Sequence, residues 1–452
     1  MRINRRLVSA ALGLTAGFGL MLGGGASAED AFNWKQAEGQ TLRVLLDSHP
    51  WQESIEKRIP EFEALTGIKV EVSALAEATF WDRLTLGLSS GEPPFDVFML
   101  SPNQTGFTGY QNGWIEPLDD YIADKKKTNP DYDFDDVYKY TVNGFRLPTA
   151  DGKAYGIPIS LETYMLFYRT DLFAEQKIDV PALKTVDDWL AALAKIDAAY
   201  KDKGIAAVAI RGQDPTMPDE LLAAVADYWG ERPFMAQRMF YFDENWTPRF
   251  TDPAVVKGFE LWAKLLNYGP PGVENFTWYE VSNSFAQGRT ATIWFDASVF
   301  AGILNDPKQS TVVGKVGYAA VPKTETGHAT THWGWGISMA AKSPNKDAAW
   351  LFIQWATSKE SDLDTGKATF GPVRASSWAK LSQTFPPEFT KAVDESFKMS
   401  VPGYMYFDGA REVADRIIDA VIRMKGGEDS KTVMGELNDE AAKIVKKNNL
   451  TK

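Results

Sequence analysis

No cysteine occurs in the 452 residues, which excludes disulfides, thiolate metal sites and a lipid-anchored cysteine. Histidine is nearly absent too, at three residues: His49, His328 and His332. The last two are four apart, but the Ala-Thr-Thr between them lies in an extended, glycine-bordered segment, so they would not share a helical face and a zinc site is not expected. Positive charge is in deficit, with 48 Lys and Arg against 60 Asp and Glu, and an acidic chain repels nucleic acid and anionic lipid. No phosphate-binding G-x-x-x-x-G-K-[ST] and no strand-linked G-x-G-x-x-G is present, so nucleotide chemistry has no foothold. The stretch GLSSG (87–91) has the letters of a nucleophile elbow, but its serines end a helical pattern where Gly91 reads as a cap. Asp131, Asp133 and Asp135 have calcium-loop spacing, yet Asp136 and Val142 stand where the loop needs Gly and Glu. Neither a metal nor a cofactor is expected.

Beyond residue 28 no apolar run is long enough to span a bilayer. The first 28 residues read as a leader: a basic MRINRR, an apolar LVSAALGLTAGFGLML, and Ala26-Ser27-Ala28 as a small-residue cleavage site. The competing reading, an uncleaved anchor, is opposed by the glycines between Gly13 and Gly25 and by the A-x-A ending. Cleavage after Ala28 would remove Arg2, Arg5 and Arg6 and no acid, leaving a still more acidic, exported protein, most simply periplasmic. The remainder exceeds what one core usually supports, so two lobes are expected.

Strand and helix patterns alternate along that remainder. TLRVLLD (41–47), KVEVSAL (69–75) and DVFMLS (96–101) read as strands, as do two stretches within 155–169, AAVAIR (206–211) and the segment holding TATIW (290–294). Between them, residues 51–67 read as one amphipathic helix, Thr185 with Asp188 as a capping box, and Asp252-Pro253 as a helix start. The alternation predicts an α/β fold with mainly parallel sheets, whose ligands sit beyond the carboxyl ends of strands. That rule selects His49 and Trp51, Ser101 and Asn103, Asp214, and the pair Trp294 and Asp296 as candidate binding residues.

Two further patterns point to the same chemistry. In TATIWFDASV (290–299) a strand runs into Trp294, Phe295 and Asp296; alternation turns Phe295 to the core and leaves Trp294 and Asp296 for a ligand. In Trp333-Gly334-Trp335-Gly336 the same alternation puts both indoles on one face. A sugar or polyol presents hydroxyls that both donate and accept, and weakly apolar C–H faces. Carboxylates answer the first and Trp rings the second. On this reading Trp294→Ala would weaken binding at least tenfold, about 1.4 kcal/mol, with the fold intact.

Three blocks carry a family resemblance: DGKAYGIPISLETYMLFYRTDLF (151–173), the run from Leu265 to Pro307 that includes NSFAQGRTATIWFDASV, and HWGWGISMAAKSPNKDAAWLFIQWATSKE (332–360). Through them the chain resembles extracellular solute-binding proteins of bacterial ABC importers, in particular the maltose-binding-like carbohydrate family and its mannitol/sorbitol-type polyol binders. The resemblance implies a two-lobe periplasmic-binding-protein fold with a hinge and an interlobe cleft, and a monomer that delivers its ligand to separate membrane permease subunits. It implies lobes formed by 29–158 with 329–376 and by 159–328 with 377–452, crossing near 157–160, 328–333 and 375–377. It also implies cleft roles for Glu162, Trp294, Asp296, Trp333, Trp335 and Arg374. The glycines of WGWG depart from the polyol-type pattern and imply a larger cleft. The alternatives are a secreted carbohydrate-active enzyme, or the same fold binding an anionic sugar derivative or opine through Arg374 or Arg211.

Overall fold

A computed structural model describes residues 31–148, 151–213, 217–229, 241–402 and 407–450. Among these described residues ten strands follow in chain order: β1 (Thr41–Asp47), β2 (Lys69–Leu75), β3 (Val97–Leu100), β4 (Arg146–Leu147), β5 (Lys153–Ala154), β6 (Ile157–Arg169), β7 (Thr292–Ala297), β8 (Val316–Ala319), β9 (Thr330–Met339) and β10 (Ser400–Pro402). Eight join in one curled sheet ordered β2-β1-β3-β9-β6-β7, with β10 on β9 and β8 on β6; β4 and β5 pair separately.

The long strand β6 organises the molecule. Its first half pairs with β9, from Ile157 opposite Ile337 to Thr163 opposite His332. Its second half lies between β7 and β8. One lobe is thus built on β1, β2 and β3, the other on β7 and β8, and β6 and β9 pass between them. The predicted parallel sheets are only partly found. β1 pairs in parallel with β2 and β3, but β3 with β9 and β6 with each of its partners are antiparallel. Strands that cross between lobes must return, and returning strands pair antiparallel.

Local differences from the sequence reading have local causes. The helix expected over 51–67 is two, Pro50–Glu56 and Ile59–Thr66, because Pro60 lacks the N–H that a continuous helix would use and instead starts the second. The segment 206–210 makes only isolated bridges, Ala206 to Thr290 and Ala209 to Ile293. Its Ala207 and Val208 N–H groups donate to the Tyr268 carbonyl, away from any ladder. The capping box at Thr185 and Asp188 forms as read. Asp252 flanks the helix Pro253–Leu266 without capping it by side chain, its carboxylate bonding Arg249 instead. Gly336 does not enlarge the cleft: a Cβ there would lie 2.3 Å from the ring of Phe145, so the missing side chain makes room for core packing.

Candidate functional site

The cavity between the lobes is assembled from three strands, one irregular segment and three helix starts. β1 delivers Asp47, Ser48 and His49; β6 delivers Glu162 and Tyr164; β9 delivers Trp333 and Trp335. Arg211 follows the 206–210 segment, and Glu77, Glu220, Trp278 and Tyr279 come from the first turns of three helices. The cavity measures about 20 Å³, room for little more than one water, which needs about 10–15 Å³. Admitting a ligand of several carbons therefore requires the cavity walls to move.

On the first lobe, Pro50 opens the helix Pro50–Glu56 and His49 caps it. The His49 Nδ1 accepts from the backbone N–H of Trp51 at 3.1 Å. That leaves the ring proton on Nε2, which donates to Glu162 Oε1 at 3.0 Å. Ser160 Oγ donates to the same oxygen at 3.1 Å. A helix cap therefore fixes a tautomer, and the tautomer orients a carboxylate on the crossing strand. Opposite Glu162 in the ladder stands Trp333. Trp333 and Trp335 share one face of β9, as alternation predicts, with ring centroids 5.9 Å apart. Trp335 is held by stacking on Trp81 at 5.2 Å and an interplanar angle of 9°.

On the second lobe, Arg211 is clamped. Its Nη2 donates to Asp296 Oδ1 at 2.7 Å and its Nε to Oδ2 at 3.2 Å. Its Nη1 lies 2.8 Å from Glu220 Oε1, which also accepts from the Tyr164 hydroxyl at 3.0 Å. Burial raises the Asp296 carboxyl above the ordinary carboxylate range, an effect that Arg211 opposes and the charge of Glu162 reinforces. Burial, with the nearby charge of Glu220, lifts the Tyr164 phenol well above its usual value, so this hydroxyl stays a proton donor.

The residues selected from sequence divide accordingly. Glu162, His49, Trp333 and Trp335 meet at the cavity, and Asp296 stands behind it as the anchor of Arg211. Trp294 does not reach the cavity. In the ladder Met165 faces Asp296 while Phe167 faces Ile293, so β7 carries one extra residue, a bulge, with Phe295 at φ +50°. The bulge breaks the assumed alternation, and both rings enter the core. Trp294 meets Trp189 at 6.1 Å and Phe295 meets Trp262 at 6.2 Å. The Trp294 indole N–H has no partner among the described residues, a desolvation cost that burial of the ring must outweigh.

Arg374 is likewise structural. It is buried over the Tyr132 ring and donates to the carbonyls of Thr357 and Asp133 at 2.9 and 2.7 Å, away from the cavity. Trp51 is buried in the first lobe's core in the first turn of the helix Pro50–Glu56, and Ser101 is buried at the end of β3; neither lines the cavity. Asp214, the side chain of Asn103 and the leader lie outside the described residues. The strand-end rule missed Trp278, Tyr279, Glu77 and Glu220 because they belong to helix starts. For two of them the signal was present: Thr277 and Glu280 form a capping box around Trp278-Tyr279.

Comparison with known proteins agrees with this architecture. The family model described as bacterial extracellular solute-binding protein matches residues 47–362, and the chain belongs to that family. The erythritol/L-threitol-binding protein of Mycolicibacterium smegmatis is 27% identical over 470 residues, covering 95% of this chain and 94% of its own. The mannitol-binding protein of Pseudomonas aeruginosa is 28% identical over 351 residues, covering 76% of this chain and 75% of its own. Among solved structures, an ABC transporter solute-binding protein from Agrobacterium vitis with bound D-mannitol superposes with a TM-score of 0.78 at 24% identity, covering 90% of this chain and 99% of its own. The two-lobe periplasmic-binding-protein fold is thereby shown.

Proposed function

We propose that this chain is the periplasmic receptor of an ABC importer for a neutral polyol or small sugar, bound between the lobes and handed to separate permease subunits. The observation that carries the reading is the pairing, in one interlobe cavity, of fixed hydrogen-bonding groups with indole faces. Glu162, held by His49 and Ser160, accepts from ligand hydroxyls, and the Arg211–Glu220–Tyr164 cluster meets them from the second lobe. Trp333 and Trp335 lie against the C–H faces. Relatives named for erythritol, threitol and mannitol support the class of ligand. The lobes would comprise 29–158 with 329–376 and 159–328 with 377–452, and the mature monomer would begin after Ala28.

An anionic ligand is disfavoured. Arg374 is remote from the cavity, and Arg211 already holds two carboxylates, Asp296 and Glu220. Asp47, Glu77 and Glu162 add negative charge around the cavity, which a sugar acid would meet as repulsion. Nor does an enzyme reading gain support: Glu162 and Glu220 are each fixed by two polar partners, a geometry suited to holding a ligand.

Glu162→Gln tests the assignment. The amide keeps the shape but loses acceptor capacity, and affinity for the bound polyol is expected to fall at least tenfold, about 1.4 kcal/mol. Calorimetric titration of a variant that melts close to the parent reads this. An affinity within twofold of the parent would remove Glu162 from the site.

A further inference from the structure

The lobes touch directly at the rim of the cavity. Tyr279, in the first turn of the second-lobe helix Trp278–Ala286, donates its hydroxyl to the Ser48 carbonyl at 3.0 Å. Ser48 leaves β1 of the first lobe, immediately before His49. Beside this bond the Trp278 ring lies 6.2 Å from the His49 ring, and His49 in turn holds Glu162 on the crossing strand. A short path therefore runs from a second-lobe helix, through the end of β1, to the carboxylate that would receive the ligand.

We infer that Tyr279 is a latch: a positioning residue whose bond to the Ser48 carbonyl stabilises lobe closure itself and so sets ligand residence time without choosing the ligand. The inference rests on the receptor reading above. Its logic is population shift. If only the closed form retains ligand, apparent affinity scales with the fraction of protein able to close, and a bond made only on closure raises that fraction equally for every ligand. A residue that touches the ligand behaves differently, because its loss alters the order of preference among ligands. The acceptor is a backbone carbonyl, so the bond can be removed only from the tyrosine side. The helix start that carries Tyr279 is fixed separately by the Thr277–Glu280 capping box, so deleting one oxygen leaves its scaffold in place.

The experiment compares the full mature chain with Tyr279→Phe. Erythritol, ribitol and D-mannitol are titrated into each, release rates are taken by stopped-flow, and amide hydrogen exchange is followed without added ligand. The expected result is a weakening of about fivefold, the same for each polyol that binds, carried by faster release. Exchange at residues 48–52 should also be faster in the ligand-free variant. Unchanged affinity and exchange would overturn the latch, and so would a loss confined to one polyol, which marks a direct ligand contact. If the parent binds none of the three, the receptor reading for polyols fails, while the exchange comparison still decides the latch. A Tyr279→Leu variant weakened more than Tyr279→Phe, with the order of preference kept, would add ring packing to the latch; a changed order would contradict it.

Discussion

Replacing Trp294 with alanine is expected to lower the unfolding free energy by about 3–5 kcal/mol, the usual cost of emptying a large aromatic site in a core. The residue is fully buried, its ring edge-on to Trp189, and it is absent from the cavity wall. Read as a strand-end platform, the same residue would show the reverse: weakened ligand binding on an undisturbed fold. Urea unfolding together with titration of the folded protein separates the two. Lost stability with near-parental affinity agrees with the core position. A tenfold loss of affinity with unchanged stability would restore Trp294 to the site.

Arg211→Ala carries a comparable effect for a different reason. The guanidinium is buried and bonded to Asp296 and Glu220, which are buried as well. Removing it strands two carboxylates in a low-dielectric pocket, and breaking a buried pair in this way costs about 3–5 kcal/mol. The pH dependence follows from the sign of the shift. Asp296 already has its proton affinity raised by burial, and losing Arg211 raises it further. A carboxyl raised in the folded state contributes stability at low pH that is lost as pH rises through its folded value. The deficit of the variant relative to the parent should therefore narrow on acidification from neutral pH. Ligand binding should also collapse, since Arg211 lines the cavity. A deficit below about 1 kcal/mol that does not vary with pH would contradict the clamp.

Much of this site could be read from sequence, and the failures have specific causes. Period-two alternation placed Trp333 and Trp335 on one face because β9 is regular through them. The same rule failed at Trp294, where the bulge at Phe295 inserts a residue and sends two successive rings inward. A non-glycine residue at positive φ leaves no mark in composition or spacing. His49 was reachable from the strand-end rule, but its connection to Glu162, more than a hundred positions away, depends on how β1 and β6 are brought together by β3 and β9. The carboxylate partners of Arg211, Asp296 and Glu220, come from other segments, and nothing in their spacing marks them as partners. Arg374 matched a family position near a crossing, yet the helix it precedes turns its guanidinium toward Tyr132 and the Asp133 carbonyl. Sequence patterns located the lobes and the face of the cleft; the register of long-range pairs decided which polar groups reach it.

The most direct test of the account is calorimetric titration of the mature protein with erythritol, ribitol and D-mannitol at low and high salt, a sugar acid serving as the contrasting ligand. The account predicts saturable one-to-one binding of at least one neutral polyol, little changed by salt, with the ligand recovered intact and the acid bound weakly or not at all. Binding of the acid alone, chemical conversion of the ligand, or no binding of any neutral polyol would contradict it.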